Sequence, residues 1–536
     1  MTTVDTSAPR PGDAPHRDHQ VAVRLIFAAL MLVMLPASLS QTVLSTALPT
    51  IVGSLHGADH IAWVMTAYLL GMTVTMPIYG RFGDRFGRKP VLLVAITLFT
   101  IGSLVGAMSG SMTMLIAARA VQGLGGGGLM VLSQAAIADV VPARERGKYM
   151  GILGAVFGLS SVAGPLLGGW FTEGPGWRWT FWINVPLGLL AFCAVVFLLH
   201  IPARTDRAKA KLDYAGMALL TIATSSLILA ATWGGHQYAW TSPLIIGLFV
   251  TVLVAGAAFV FAESRAEEPV IPLELFADRN FNLTTVGALI MGVAMFGSLS
   301  YLPTYMQMSV GVDATHAGLM MIPMMGGLLV TSIIVGQIVS RTGRYRWYPV
   351  AGGAVIAAGL FLLSILKVES PRWQVEVSLL VLGIGIGLGM QVMTLIVQNS
   401  FSHRIVGTAT AATNYFRQVG GTLGAAAVGS IFTSRLVDNL AASLPPDVQS
   451  QGSSGSLTPD AVATLPAPIH DIIVTAYNEA LMPVYLWLVP LALISVVTLT
   501  FIREKALSHS IEEERQHESL GEQTLDAADA FTGAER

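Results

Sequence analysis

Two arginines lie within long apolar stretches of the sequence, where a charge is costly unless it has a function. Arg119 lies in residues 112–139 and Arg417 in residues 407–433. A guanidinium keeps its charge and presents a planar fork of donors that matches a carboxylate or a phosphate. An arginine inside a membrane span is therefore a candidate anion-binding group. The alternative is a structural arginine that donates to backbone carbonyls.

No acidic side chain falls in the middle of a predicted span. Asp139 and Asp213 lie at one side of the apolar stretches, and Asp313 and Glu376 lie at the other. Because a buried charge normally has a partner, the arginines could meet backbone carbonyls, water or an anionic substrate. Asp139, Asp313 and His316 are the candidates for proton coupling, although a lone histidine is more often structural. Deprotonation of a substrate bound to arginine is another route.

The elements that position these residues are membrane helices. The chain has 536 residues, of which 53% are hydrophobic and 12% charged. A soluble domain carries about twice that charged fraction. The sequence therefore predicts an all-α membrane protein without a soluble domain. The net charge of −2 indicates no nucleic-acid partner, and Cys193 is the single cysteine, so no internal disulfide can form.

Fourteen apolar stretches reach the length of about 20 residues that a membrane span requires. They lie near residues 23–48, 60–80, 90–109, 112–139, 149–171, 180–200, 213–233, 243–262, 280–308, 314–340, 347–366, 375–398, 407–433 and 482–502. An even number of spans places both termini on the same side. The first stretch predicts a retained span and not a cleaved signal peptide.

Lysines and arginines are distributed unevenly between the two sets of loops. One set carries Arg81, Arg85, Arg88, Lys89, Arg144, Arg146, Lys148, Arg204, Arg207, Lys209, Lys211, Arg265, Arg279, Arg341, Arg344, Arg346 and Arg404. The other set carries only Arg178, Lys367, Arg372 and Arg435. Because basic loops stay in the cytoplasm, both termini are expected to be cytoplasmic.

A block of glycine and charge at residues 80–89 recurs weakly at residues 336–344. In this repeat Gly80, Arg85, Gly87 and Arg88 align with Gly336, Arg341, Gly343 and Arg344. Such a repeat predicts two related halves. The expected units are a tail at 1–22, a six-helix bundle at 23–200, a linker with two inserted helices at 201–270, a second six-helix bundle at 271–502 and a solvated tail at 503–536. The second bundle would include an outer loop at 434–481, whose end at 468–481 could form an interfacial helix.

Several motifs resemble those of the major facilitator superfamily. Residues 80–89 resemble its loop between helices two and three, and residues 115–125 resemble its fourth-helix motif. The fifth-helix motif, diagnostic of antiporters, is matched by Gly154, Gly158, Gly164, Pro165, Gly168 and Gly169. Residues 177–188, 301–307 and 416–421 resemble the fourteen-helix drug:proton antiporter group. The implied fold is two six-helix bundles plus a central two-helix insertion.

The resemblance also implies a function. Asp84 and Arg88 would latch the inward-closed state, within a gating set of Gly80, Arg81, Asp84, Arg85, Gly87, Arg88, Arg341 and Arg344. The expected protein is a proton-coupled exporter of amphipathic small molecules by alternating access, in the bacterial inner membrane among its lipids. It would be no enzyme, would use no metal or cofactor, and would be monomeric. The alternatives are a dedicated exporter of an endogenous lipid, siderophore or antibiotic, and a transport-dead sensor.

One position departs from the family pattern. The group usually carries an aspartate in its first helix, and Ser40 occupies that position here. A serine neither titrates nor neutralises a cationic drug, which makes an anionic or zwitterionic substrate more plausible. The candidate substrate-binding residues are Ser40, Gln41, Arg119, Gln122, Phe157, Tyr301, Tyr305, Gln307, Gln391, Asn414 and Arg417.

Overall fold

The computed structural model describes residues 14–55, 60–199, 212–235, 237–312, 314–443, 462 and 466–508. Helices dominate these residues. The first group of helices comprises α1 (Ala14–Leu55), α2 (Ile61–Phe86), α3 (Arg88–Ala107), α4 (Met112–Val140), α5 (Ala143–Glu173), α6 (Trp179–Trp182) and α7 (Asn184–Leu198). A hairpin of α8 (Tyr214–Trp233) and α9 (Pro243–Glu263) follows.

A short 3₁₀ helix, Leu273–Ala277, leads into the last group. That group comprises α10 (Arg279–Leu299), α11 (Leu302–Ser309), α12 (Ala314–Met320), α13 (Ile322–Thr342), α14 (Trp347–Ser364), α15 (Arg372–Gln398), α16 (Val406–Ser443) and α17 (Ala467–Thr500). We call α1–α7 the first bundle, α8–α9 the inserted hairpin and α10–α17 the second bundle.

Helix packing follows this grouping. In the first bundle α4 packs on α2 and α3, and α5 packs on α1. In the second bundle α10 packs on α16, and α15 packs on α13 and α14. Among the helix pairs that join the bundles, α2 with α16 and α5 with α13 make the most extensive contacts. We call these contacts the α2/α16 seam and the α5/α13 seam.

Twelve helical segments within the described residues are long and apolar enough to cross a membrane. They coincide with twelve of the fourteen predicted spans. The remaining two predictions fall on α2 and α16, which are not among the twelve. In α16 the central residues Asn414, Arg417 and Gln418 lower the hydropathy. Predicted spans nine and ten are each broken by a short interruption, at residues 300–301 and at Met321.

The signature block at 80–89 is mostly helical, which corrects the prediction of a glycine-rich loop. Gly80 and Gly83 lie inside α2, and the turn to α3 is the single residue Gly87 with φ +91°. Such a backbone conformation favours glycine, because a Cβ would clash. We call the face of the protein that carries Gly87 the signature face.

The inserted hairpin contacts both bundles. The Thr224 and Tyr415 hydroxyls lie 2.7 Å apart, and Trp240 Nε1 donates to Ser430 Oγ at 2.9 Å. The rings of Trp63 and Trp233 pack edge to face at 5.4 Å. An apolar crevice of about 390 Å³ remains between the hairpin and α16. The hairpin therefore lies along the α2/α16 seam.

Three predictions about the termini and the outer loop need correction. Helix α1 begins at Ala14, inside the predicted N-terminal tail. The predicted outer loop at 434–481 is partly helical, because α16 extends to Ser443 and α17 begins at Ala467. The predicted interfacial helix is thus the first part of α17, and residues 444–461 lie outside the described residues. Residues 503–508 were expected to be solvated but pack on the signature face.

Candidate functional site: the contacts between the bundles

Asp84, near the end of α2, caps the first turn of α16 in the other bundle. Its carboxylate accepts from the Gly407 amide at 3.2 Å, the Thr408 amide at 2.6 Å and the Thr408 hydroxyl at 2.6 Å. The first amides of a helix lack intrahelical partners, and the helix dipole favours a negative charge there. Asp84 is buried, so water screens these contacts little.

Arg88, the first residue of α3, lies between two carboxylates. Its guanidinium donates to Asp84 and, through Nε, to Asp139 Oδ2 at 3.0 Å. The His403 ring of the second bundle lies 3.8 Å from the other Asp139 oxygen. Gly407 leaves space for the guanidinium, since a Cβ there would lie 2.1 Å from Arg88 Nη1. The Asp84–Arg88 pair and the start of α16 thus form one buried contact.

The other two arginines of the block bind an acid that sequence reasoning missed. Arg85 Nη1 lies 2.9 Å from Glu268 Oε2, and Arg81 Nη2 lies 3.4 Å from the same oxygen. Glu268 belongs to the segment after the inserted hairpin. Glu263, at the end of α9, accepts from the amides of Val270 and Ile271 in the same segment. The hairpin is therefore connected to the signature block through this segment.

The weak repeat at 336–344 shares a glycine of positive φ with the signature block but not its charges. Gly343 has φ +74° and corresponds to Gly87. Ser340 occupies the position that aligns with Asp84. The side chains of Arg341 and Arg344 are exposed. These two arginines thus do not reproduce the buried contact of Arg88.

Arg144, at the start of α5, makes the charged contact of the α5/α13 seam. Its guanidinium donates to the carbonyl of Ser340 at 3.2 Å and to that of Arg341 at 2.8 Å. These carbonyls belong to the last turn of α13, where the helix dipole favours a positive charge. In the sequence, Arg144 was recognised only as one of the basic residues that set the membrane orientation. Its position two residues after Pro142, a residue that favours the first turn of a helix, was the available signal.

Glycines bring the backbones together at both seams. A Cβ on Gly80 would lie 2.9 Å from the Gly407 carbonyl oxygen, and one on Gly336 would lie 2.3 Å from the Gly147 carbonyl oxygen. The aligned glycines therefore have the same role in the two halves. Gly151 continues the second seam, because its Cβ would lie 2.4 Å from the Ser332 carbonyl oxygen.

The fifth-helix glycines divide between two neighbours of α5. Gly154 and Gly158 face the second bundle, where Gln391 and Leu328 are their nearest neighbours. Gly164 and Gly168 face α1, and a Cβ on either would lie about 2 Å from the side chain of Thr42 or Thr46. No atom lies within 4 Å of the Cβ position of Gly169, and Pro165 lies beside Gly318. Close packing thus explains Gly154, Gly164 and Gly168, whereas a Cβ on Gly158 would make only ordinary contacts.

Arg119 is fully buried and contacts Ser40. Its Nη1 lies 3.1 Å from Ser40 Oγ and also donates to Gln122 Oε1 at 2.5 Å, while Nε donates to the Val64 carbonyl at 3.2 Å. The guanidinium lies over the Tyr68 ring at 4.1 Å. Nη2 has no hydrogen-bond partner among the described residues. The serine at the family's aspartate position is therefore bonded to the fourth-helix arginine.

Arg417 belongs to a separate polar cluster between the bundles. It donates to Asn414 Oδ1, and Asn414 Nδ2 donates to Gln134 Oε1 of α4 at 2.9 Å. Gln398 Nε2 donates to the Gln134 carbonyl at 3.1 Å. Arg417 is 9% exposed. Neither Arg119 nor Arg417 has a carboxylate within 4 Å among the described residues.

The other candidate residues do not join these clusters. Tyr305 accepts from Asn478 at 2.9 Å, and Tyr301 donates to the Ala425 carbonyl at 3.1 Å, both inside the second bundle. Gln307 donates to the Pro303 carbonyl of its own helix, and Phe157 packs on the core of the second bundle. Gln41 is half-buried.

The coupling candidates are also scattered. Asp139 pairs with Arg88, His316 is exposed, and Asp313 lies outside the described residues. The contacts therefore bring together the residues of the first half that were expected to act in gating, and not one complete substrate site.

Comparison with known proteins accounts for this arrangement of helices. The sequence profile of the Major Facilitator Superfamily matches residues 30–425. The chain belongs to this superfamily. It is therefore a multi-pass membrane transporter and not an enzyme, and the resemblance of the signature motifs is confirmed.

Curated relatives include multidrug transporters. An uncharacterised MFS-type transporter of Mycobacterium tuberculosis is 40% identical over 491 residues, which cover 90% of this chain and 70% of the relative. The multidrug transporter protein MdtP of Bacillus subtilis is 34% identical over 530 residues, which cover 94% and 97% of the two chains. The Multidrug resistance protein 3 of Bacillus subtilis is 33% identical over 423 residues, or 78% of this chain and 82% of the relative.

Solved structures support the fold. The human organic anion transporter MFSD10 superposes with a TM-score of 0.62 at 14% identity, over 89% of this chain and 99% of its own. The proton:xylose symporter XylE superposes with a TM-score of 0.59 at 15% identity, over 91% and 98% of the two chains. Identities this low support the shared fold alone.

Proposed function

We propose that the protein is a secondary active exporter of amphipathic small molecules that works by alternating access, coupled to proton entry. The observation that carries the proposal is the buried contact of Asp84 and Arg88 with the start of α16. This contact joins the two bundles and must break when they rock apart. The named multidrug transporters at 33–34% identity support drugs as the substrate class.

The proposed orientation places the signature face in the cytoplasm of a bacterial cell. The bias of lysine and arginine toward the loops of that face supports this orientation. Helices α2 and α16 would also cross the inner membrane, which makes fourteen spans and leaves both termini cytoplasmic. The arrangement of Asp84 and Arg88 then corresponds to a transporter closed toward the cytoplasm.

The proposed latch has two parts. Asp84 stabilises the start of α16 and Arg144 stabilises the end of α13, each across a seam between the bundles. Charge-assisted hydrogen bonds are about twice as strong as neutral ones. Rocking would replace these contacts with water, so the latch favours the cytoplasm-closed state until substrate or protons shift the equilibrium.

Proton coupling is proposed to use the latch, because Ser40 cannot titrate. Among the three candidates, Asp139 is supported by its contact with Arg88 and by the nearby His403. Protonation of Asp139 would remove one of the two carboxylates that hold Arg88. The latch would then loosen as a proton arrives.

A second candidate function is the export of an acid-bearing product. It is favoured by the two interior arginines, neither of which has a carboxylate partner among the described residues. A carboxylate or phosphate on the substrate could supply the missing charge at Arg119 or Arg417. Such a product could be a lipid, a siderophore or an antibiotic.

Transport by purified protein in proteoliposomes tests both functions. An inside-acid pH gradient is imposed, and uptake of a cationic dye and of an anionic amphiphile is followed in parallel. The multidrug exporter should move the dye, and Arg119→Ala and Arg417→Ala should leave dye uptake unchanged. Movement of the anion alone, lost in either variant, would select the acid-bearing product. Movement of neither compound, with or without the gradient, would contradict the proposed exporter.

A further inference from the structure

The chain does not leave the protein surface when α17 ends. Residues 501–508, which we call the C-terminal strap, run across the signature ends of the second bundle. Ile502 is fully buried and Leu507 is 5% exposed, so the strap buries apolar side chains as a structured element does. Its backbone and side chains bond to the ends of three helices of the second bundle and to the start of α5 in the first.

The first partner is the start of α14. Glu504 Oε1 accepts from the amides of Tyr345 and Arg346 at 2.6 and 3.3 Å, where unpaired amides favour an acid. The Tyr345 hydroxyl accepts from the Lys505 amide at 2.7 Å and donates to the Lys505 carbonyl at 2.9 Å. Burial raises the pKa of Tyr345, so the hydroxyl remains protonated and keeps both bonds.

The next partners lie at α10 and α15. Asn280 exchanges two hydrogen bonds with the Arg503 backbone, at 2.8 and 2.9 Å. Lys505 Nζ lies 3.0 Å from Asp278 Oδ2. Asn399 Nδ2, just after α15, lies 3.3 and 3.4 Å from the carbonyls of Lys505 and Ala506. The strap is therefore fixed to the second bundle along its length.

The end of the strap reaches the first bundle. The Ser508 carbonyl accepts from the Arg144 amide at 3.2 Å. Arg144 is also the residue whose guanidinium binds the last turn of α13. Arg144 of the first bundle is thus bound at two points by the second bundle. The strap binds its backbone amide, and the end of α13 binds its guanidinium.

We propose that the C-terminal strap is a positioning element for closure, which holds Arg144 on the end of α13 and thereby stabilises the closed α5/α13 seam. Glu504 and Asn399 are positioning residues, because they act through the strap and touch no substrate. The sense of closure rests on the proposed function. Detachment of the strap would free the Arg144 amide and loosen its guanidinium, so the seam would open more often.

A pair of truncations tests this role. One variant ends at Ser508 and keeps the strap, and the other ends at Thr500 and removes it. Both carry Cys193→Ser and a reporter, Val339→Cys, because Val339 is buried in α13 beside Gly147. Inside-out vesicles are treated with a membrane-impermeant maleimide, and the labelling rate is compared with that of the full-length reporter.

The chain that ends at Ser508 should label like the full-length protein. The chain that ends at Thr500 should label about fivefold faster, the factor expected when one net hydrogen bond is lost. Equal rates in the two truncations, whether raised or unchanged, would overturn the proposal. The reporter needs no transport, so its result is independent of the proteoliposome test of the proposed function.

A point substitution covers the case in which the shorter chain does not fold. Glu504→Ala removes the acceptor for the α14 amides and should raise the labelling rate about threefold, within the range for one hydrogen bond. Glu369→Ala, an exposed acid between α14 and α15 at the opposite face, is the matched control. Equal labelling of these two variants, with unchanged thermal stability, would also contradict the strap's role.

Discussion

The two seams between the bundles share a backbone design and differ in their charges. At both, a glycine of the repeat, Gly80 or Gly336, lets a backbone of the other bundle approach closely. At the α2/α16 seam an acid, Asp84, binds a helix start. At the α5/α13 seam a base, Arg144, binds a helix end.

The difference shows that the two seams between the bundles are stabilised by side chains of opposite charge. A helix start favours an anion and a helix end favours a cation, so each seam carries the sign that its partner helix requires. Burial differs as well. Asp84 and Arg88 are buried, whereas Arg144 is half-buried. We therefore expect the α2/α16 seam to supply most of the latch's stabilisation.

The largest effect is expected from Asp84→Asn. The change removes the charge that binds the start of α16 and leaves Arg88 with one carboxylate, so the closed state should lose about 3 kcal/mol, as when a buried pair loses one partner. Gradient-driven uptake in proteoliposomes should fall more than about tenfold. Glu369→Gln is the control. An uptake rate for Asp84→Asn within twofold of that control would contradict the claim that Asp84 stabilises the closed state.

Gly336→Ala should have the next largest effect. The new Cβ would lie 2.3 Å from the Gly147 carbonyl oxygen, and overpacking of this kind costs about 1–3 kcal/mol. The closed seam should open, and a maleimide should label Val339→Cys faster. Gly326→Ala in the same helix is the matched control, since nothing lies within 4 Å of its Cβ position. Equal labelling of the two variants would refute close packing at this seam.

Arg144→Lys should have a smaller effect on the same seam. Lysine keeps the charge but cannot donate in the same fork to the Ser340 and Arg341 carbonyls, so the closed state should lose about 1 kcal/mol. Because Arg144 is half-buried, the difference from wild type should shrink at high salt. Labelling of Val339→Cys at low and high salt measures both effects, and a difference that grows with salt would contradict the electrostatic explanation.

The smallest effect is expected from Glu268→Gln. The pairs of Glu268 with Arg81 and Arg85 lie partly open to water, with 13% of the Glu268 side chain exposed. Such pairs contribute up to about 1 kcal/mol. Uptake should change less than about fivefold, and the exposed neighbour Glu267→Gln should have no effect. A loss of uptake as large as that of Asp84→Asn would mean that the contacts of Glu268, in the segment after the inserted hairpin, contribute as much to closure as the contact of Asp84.

Some residues at the signature face could be predicted from the sequence, because the local backbone conformation restricts which residue type can occupy the position. Gly87 and Gly343 were aligned as a repeat, and both have the positive φ that favours glycine. Asp84 and Arg88 were assigned to a latch because residues 80–89 resemble a family motif, and the two side chains do form a pair. Local constraints of this kind remain visible in a single sequence.

Other contacts between the bundles could not be predicted, because each residue binds a partner that is distant in the sequence. Arg144 binds carbonyls almost 200 residues away, and any residue type can supply a carbonyl. Glu268 was one exposed-looking acid among several. The start of α17 was placed too late, because the helix continues through Pro483. For the strap a signal existed, since Ile502 and Leu507 are apolar residues beside a polar tail.

The most direct test of the account is the distance between the bundles at the signature face. Spin labels are placed at Lys148→Cys of α5 and Arg404→Cys before α16, both exposed, in a Cys193→Ser background. Double electron–electron resonance should give one short distance for this protein. Addition of Asp84→Asn should produce a second, longer population, because the start of α16 loses its acid. An unchanged distribution would contradict the claim that Asp84 holds the bundles closed.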